Sequence, residues 1–323
     1  MYINGVELTL DNKDHVEFFA SYLHNISNFT LDSNESMFLA RQLLLFEQKI
    51  YDQKYTPTQA VSLFPTDTSG GSGLESLGYR KSSSYGEMKW SGQEDTKPNK
   101  VGQKIDEVIE VVRMADVSYE FNFMDIRKAA RSGLNLSVDG INNCKRAADQ
   151  FIDNKILFGD DDVGVKGVFS SVYTSAYNTV PLTGTIIGKA YDAALSDMCD
   201  ILDKSIESSK VFDVDTCIMS LRILQYLRRT EKAGTTKSVL ETLETRYPNV
   251  SFLGVHKLKG AAPSNKDYIL AYPKIAEVIQ AKVPNPFEQL PTDRLAKTFS
   301  TTCISEVSSV QVKYANAITY VAN

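Results

Sequence analysis

The sequence predicts an α+β protein organised around one long helix. Three observations carry that expectation. Residues 137–158 hold apolar side chains at helical spacing, and residues 76–123 hold two β-rich runs around a polar tip. Residues 169–282 then alternate between helical and strand-like patterns before a strand-rich C-terminus, the order that puts helices on a small sheet. The chain has 323 residues, 42% hydrophobic and 23% charged, close to the averages of soluble globular proteins. That length permits one large domain or several smaller ones.

Residues 1–34 are polar and lack sustained periodicity, so they read as an arm that is extended or ordered only against a neighbour. A helix is expected from Asn34 and Glu35, with Phe38, Leu39, Gln42, Leu45, Phe46 and Ile50 on one stripe. The next segment, YTPTQAVSLFPTDTSGGSG (55–73), is punctuated by Pro57, Pro65, Gly70, Gly71 and Gly73 and has the composition of a linker. A ribbon follows. SLGYRKSSSYGEMKW (76–90) is rich in β-formers, SGQEDTKPNK (91–100) turns the chain, and KIDEVIEVVRMADVSYEFNF (104–123) returns. In the returning arm Val117, Tyr119, Phe121 and Phe123 alternate with Ser118, Glu120 and Asn122. Two arms of about 15 residues at about 3.3 Å each give a ribbon about 50 Å long. A lone hairpin buries no core, so one face of this ribbon is expected to pack on its own domain or on another subunit.

MDIRKAARSG (124–133) reads as a short helix closed by Gly133. The spine helix comes next, with Ser137 as its N-cap and Asp139 in the first turn, suited to the positive end of the dipole. Ile141, Cys144, Ala148, Phe151 or Ile152, and Ile156 share one face, while Lys145, Arg146, Asp149, Asp153 and Asn154 fall mostly on the other. About 20 residues make a rod roughly 30 Å long. Gly159 ends it, and a Gly- and Asp-rich turn follows.

Beyond Phe169, residues 188–210, 221–232 and 237–248 read as helices, and 212–220, 250–255 and 266–273 as strands. VPNPFEQLP (283–291) breaks that alternation. The last 30 residues alternate as strands, with a hairpin expected around Ser308 and Ser309. No repeat of solenoid length is visible.

Catalytic, cofactor and metal signatures are absent from this pattern. GTIIGKA (184–190) is one residue short of a phosphate loop and has Ala190 where that motif needs serine or threonine. The glycines at 70–73 lack the strand before and the helix after that a dinucleotide fingerprint requires. Counted from Asp160 in the run Asp160, Asp161 and Asp162, a calcium loop would need glycine at Val165 and glutamate at Ser171. His15, His24 and His256 are too few and too polar in context for a triad or a zinc site. Cys144, Cys199, Cys217 and Cys303 form no C-x-x-C pair and read as buried free thiols of a reducing compartment. Acidic residues exceed basic ones by five, so no global basic field favours nucleic acid. Two basic groups, Arg228, Arg229 and Lys232, and Arg127, Lys128 and Arg131, read as solvated helix faces. No basic and apolar leader opens the chain and no apolar run reaches membrane-spanning length, so an intracellular soluble protein is expected and the Asn-x-Ser/Thr triplets are chance matches.

The order of parts is more telling than any motif. FNFMDIRKAARSGLNLSVDGINNCKRAADQFIDNKILFGDDDVGVKGVFS (121–170) runs strand, short helix, charged spine helix, then a Phe-Gly-Asp and Gly-x-x-Gly turn. DYILAYPKIAEVIQAKVPNPFEQLP (267–291) places a tyrosine–proline element before a proline-flanked aromatic. With these segments the chain resembles the major capsid proteins of tailed bacteriophages and the related encapsulin shell proteins, and most of all the encapsulin-like major capsid protein family. The resemblance implies a Hong Kong 97-type capsid fold of class α+β. Its parts would be an N-terminal arm and helix (1–74), an extended β-ribbon loop (75–123), a peripheral domain with the spine helix (124–167 plus 292–323) and an α/β axial domain (168–291).

It further implies a non-enzymatic subunit, made in the host cytoplasm and located in the virion. Such a subunit self-assembles as hexamers and pentamers into an icosahedral shell around a double-stranded DNA genome. Its partners would be itself and portal, scaffolding and decoration proteins, with DNA enclosed without sequence-specific binding, no membrane and no cofactor. No long charged helical segment precedes the arm, so a fused scaffolding domain is expected to be absent or already removed. Lys89, Lys97 and Lys100 near the ribbon tip read as solubilising lysines and not as crosslinking partners. Two alternatives stand beside this reading: an encapsulin-type nanocompartment shell, marked by protein cargo, and a soluble α/β enzyme with an inserted hairpin, marked by discrete small oligomers.

Overall fold

The computed structural model describes residues 2–3, 6–7, 55–90, 100–132 and 136–323. These fall into two compact units, Met1–Tyr55 and Thr56–Asn323. In the first, Tyr2–Ile3 and Val6–Glu7 pair antiparallel, so the arm read as extended carries a short pairing of its own. The helix expected from Asn34, the ribbon tip at 91–99 and Gly133 lie outside the described residues.

In the second unit the spine helix spans Leu136–Leu157. Cys144, Ala148, Ile152 and Ile156 are buried along it, as the spacing requires, and Phe151 is only half-buried. The helix begins one residue before Ser137, which therefore sits in its first turn and not at the N-cap. Gly140 allows close packing on the neighbouring strand, because a Cβ there would stand 2.7 Å from the Tyr119 ring. At the far end Gly159 has φ +73°, and the strand Gly159–Asp160 pairs antiparallel with Val165–Lys166. A Cβ on Gly167 would lie 2.3 Å from the Gly159 amide nitrogen, so two backbones touch where no side chain fits. Gly167→Ala is expected to cost at least about 2 kcal/mol, read as a lowered urea midpoint with unchanged slope.

Two expectations about this region are corrected. Asp153, assigned to the polar face, is 1% exposed. Its Oδ1 accepts the backbone N–H groups of Gln59 at 2.7 Å and Ala60 at 2.6 Å, and Lys257 Nζ sits 2.7 Å from Oδ2. Segment 55–73, read as a linker, is a core element in its middle. Ala60–Leu63 forms one helical turn, and Ala60, Leu63 and Phe64 are buried. Phe64 stacks on Tyr272 at 5.1 Å between ring centroids, and the Tyr272 hydroxyl donates to the Leu63 carbonyl at 2.8 Å. Proline and glycine at the segment's ends masked the apolar Ala60-x-x-Leu63-Phe64 run between them. The free N–H groups at the start of so short a turn need an outside acceptor, and buried Asp153 supplies it.

Thr66–Asp67 then pairs in parallel with Ala281 and Lys282 of the strand Ile279–Lys282. The Lys282 ammonium, with the Ser69 hydroxyl and amide, holds the Asp67 carboxyl down at about 2. A depressed carboxyl stabilises the fold above its unfolded pKa and loses that contribution on acidification. Acid titration of the folded chain is therefore expected to cost at most about 2 kcal/mol between pH of about 4 and about 2, and Asp67→Asn should flatten that part of the curve.

The ribbon is built from Ser76–Tyr85 and the 21-residue strand Gly102–Asn122. Their register runs from Ser76 opposite Val111 to Tyr85 opposite Gly102, so the paired length is about 33 Å at 3.3 Å per residue, shorter than expected. From Val112 to Asn122 the long strand instead pairs antiparallel with Thr298–Ser308. Phe123, counted in the alternation, leaves the strand and opens the helix Phe123–Ser132. Residues Asn285–Gln289, within the segment expected to break the pattern, add an outer strand against Thr298–Ser308, where proline is tolerated at a sheet edge.

The lobe holds a five-stranded sheet in the order Ser251–Val255, Thr216–Ser220, Tyr268–Tyr272, Thr319–Ala322 and Asn178–Thr179. Helices Tyr191–Ser209, Leu221–Arg229 and Val239–Arg246 enclose a core with Met198, Ile201, Met219, Ile223 and Ile269. Ser238 and Glu241 close a capping box on the last of these. Two expectations for the C-terminus change. Ser308 and Ser309 mark no hairpin, because Gln311–Val312 pairs with Ile279 and Gln280. Thr319–Ala322 leaves the spine's sheet and pairs inside the lobe with Tyr268–Tyr272. Its alternating pattern fits either sheet, and side-chain period alone does not choose the partner.

Candidate functional site

The residues screened for chemistry are occupied by structural roles. Lys189, the lysine of the phosphate-loop-like stretch, pairs with Asp197 at 2.5 Å, and its carbonyl accepts the Tyr226 hydroxyl at 2.6 Å. Asp160 is bound by Lys155. No group of three metal-ligating side chains exists among the described residues. Burial pushes the Cys217 thiol up to about 12 and, with Cys144 beside it, the Cys303 thiol up to about 11, so neither is a thiolate near neutrality. Cys144 is buried as well, and Cys199 is half-buried. His256 lies in a short 3-10 turn, whereas His15 and His24 fall outside the described residues. Of the basic groups, Arg229 lies over the Tyr226 ring at 5.8 Å and Arg127 over Phe123 at 4.3 Å. Among the described residues no helix is long and apolar enough to cross a membrane.

The surface itself is the unusual feature. One face of the ribbon is open among the described residues: no residue of Ser76–Tyr85 is buried and none of 102–109 is, and Leu77, Tyr79 and Val108, on the face turned to the body, are half-buried. Some apolar side chains of the ribbon and its approach to the tip are among the most exposed of the described residues. Ile105 is 58% exposed, Ile109 69%, and Met88 and Trp90 are fully exposed. Arg80 and Glu107 pair across the ribbon at 2.8 Å and flank a shallow open groove between Tyr79 and Ile109. Ile105 and Ile109 share this open face with the Arg80–Glu107 pair between them, a mixed apolar and charged surface of the kind found at protein contacts. Sequence reasoning found the ribbon but picked out residues 117–123, the half that pairs within the subunit. The signal it passed over was Ile105 and Ile109 standing among Lys104, Asp106, Glu107 and Glu110 in a strand with no apolar partner face.

The sequence model of the major capsid protein family matches residues 86–323. The chain belongs to the major capsid protein family. It is a shell-forming structural protein of the virion and associates with its own copies. Solved structures agree on the fold. The capsid of Myoviridae phage XM1 superposes with a TM-score of 0.76 at 15% identity, over 88% of this chain and 98% of that one. A structure titled Mycobacterium phage Ogopogo gives 0.60 at 13% identity, over 88% and 98%. The capsid of a native GTA particle gives 0.66 at 10% identity, over 87% and 95%. No curated protein matches the chain by sequence. This capsid protein therefore shares the tailed-phage shell fold that the order of its parts suggested, at identities too low for residue-by-residue transfer.

Proposed function

We propose that the subunit assembles as hexamers and pentamers into a closed icosahedral shell around a double-stranded DNA genome, each ribbon lying across a neighbouring subunit. The observation that carries this reading is the ribbon: among the described residues nothing covers Ile105 and Ile109 on its open face, which a neighbouring copy would cover. On this reading 75–111 of the expected 75–123 loop is the intersubunit arm, its remainder pairing within the subunit, 168–291 clusters around the symmetry axes, and 124–167 with 292–323 forms the periphery, Thr319–Ala322 excepted. Closed symmetry repeats each modest contact many times. The net charge of −5 suits confinement of DNA without tight pairing to it. The role is mechanical and not enzymatic, with portal, scaffolding and decoration proteins as further partners. Purified particles treated with nuclease and then opened test the contents. Protected double-stranded DNA of uniform length is expected, whereas a protein cargo and no DNA would replace this reading with a nanocompartment.

A further inference from the structure

The ribbon is joined to the body at one place in the long strand. Up to Val111 that strand is laddered to Ser76–Tyr85, and from Val112 onward to Thr298–Ser308. At this exchange of partners the body's ladder ends, so the ribbon's direction depends on side chains around the joint. Glu110 stands there, 3% exposed, between exposed Ile109 and half-buried Val111. Lys166 Nζ donates to both of its carboxylate oxygens at 3.2 Å. The Tyr173 hydroxyl is 3.5 Å from Glu110 Oε1, but its single proton goes to the Val310 carbonyl at 2.7 Å. Lys166 is thus the counter-charge of a buried carboxylate. It is also held rigidly, since its N–H donates to Ser309 Oγ at 3.0 Å and its carbonyl accepts Val310 N–H at 2.8 Å. Other ties at the ribbon base are hydrogen bonds without a buried charge pair on the ribbon: Ser308 Oγ donates to the Val111 carbonyl at 2.9 Å, Val112 N–H to the Glu75 carbonyl at 3.0 Å, and Tyr79 Oη and Lys81 Nζ reach the Val312 carbonyl at 3.4 and 3.3 Å.

We infer that Glu110 and Lys166 form a latch that sets the direction in which the ribbon leaves the body, and that shell assembly depends on it. This rests on the ribbon being the intersubunit arm. The physical reason is that a carboxylate out of water is tolerated only beside its counter-charge. Without Lys166, Glu110 is rehydrated by swinging the ribbon off the body, a motion opposed at the joint by few bonds, among them Val112 N–H to the Glu75 carbonyl and Ser308 Oγ to the Val111 carbonyl. Glu110 is a positioning residue: its effect on assembly runs through the ribbon.

The test uses full-length chain with spin labels at Ser84→Cys on the ribbon and Lys145→Cys on the spine helix, both exposed sites, in a Cys199→Ser background. Distances between labels are measured by pulsed electron resonance below the assembly concentration, and shell yield of the unlabelled variants by sedimentation. One narrow distance distribution is expected for the native pair. Glu110→Gln and Lys166→Met should broaden or displace it and lower shell yield at least tenfold, and the exchange Glu110→Lys with Lys166→Glu should restore both. If the exchanged pair does not fold, agreement between the two single variants decides. Glu110→Gln with the native distribution overturns the latch, as does a broadened distribution with native shell yield and diameter. Should the native chain form no shells, the reading of the ribbon falls while the distances still judge the latch.

Discussion

Ile109→Glu is expected to leave a folded, soluble subunit that no longer builds shells. Ile109 is 69% exposed and Ile105 is 58% exposed, so a charge at either position meets water in the free subunit. Exposed substitutions of this kind change stability by about 0.5 kcal/mol or less. In the shell the same side chain would be covered by a neighbour, and an unpaired carboxylate taken out of water costs several kcal/mol. That penalty repeats at every copy, next to Glu107 and Glu110 of the same strand, so a loss of assembly of a hundredfold or more follows from about 3 kcal/mol per contact. Sedimentation of the variant beside native protein checks it, with thermal unfolding as the control for folding. Shells at native yield would show that this face of the ribbon stays open.

Asp153→Ala is expected to have the largest effect on stability, about 3–5 kcal/mol. One carboxylate satisfies two backbone N–H groups at the start of the Ala60–Leu63 turn and one ammonium, all at 2.6–2.7 Å. Removing it orphans the two donors, leaves Lys257 with Asn154 Oδ1 but no counter-charge, and loosens the seat of Phe64 against Tyr272. Lys257→Met should cost less, because Asp153 keeps both backbone donors and the lysine side chain is 22% exposed. Denaturant unfolding separates the two variants. Equal costs would place the energy in the ion pair and not in the capped turn.

Much of the architecture is legible in the chain because its elements obey simple periods. The spine's Cys144, Ala148, Ile152 and Ile156 recur at helical spacing, and the lobe's helices start at side chains such as Ser220 and Ser238 that accept the N–H of Ile223 and Glu241. What escaped is non-local. Asp153 sits among polar spine residues in sequence, and only a segment 93 positions away reveals why it is buried. The run Ala60–Phe64 is too short for a periodicity to stand out between prolines. The C-terminal strands alternate cleanly, yet whether they pair with the spine's sheet or the lobe's is decided by three-dimensional neighbours. The candidate site was legible as a ribbon and not as residues, because Ile105 and Ile109 standing among charges are a weaker signal than the clean alternation of 117–123.

Electron microscopy of the purified full-length protein, at concentrations where subunits associate, tests the central claim most directly. Closed particles of uniform diameter with icosahedral symmetry are expected, with density for each ribbon lying on an adjacent subunit. Discrete dimers or tetramers alone at high concentration, or shells in which the ribbon touches only its own subunit, would contradict it.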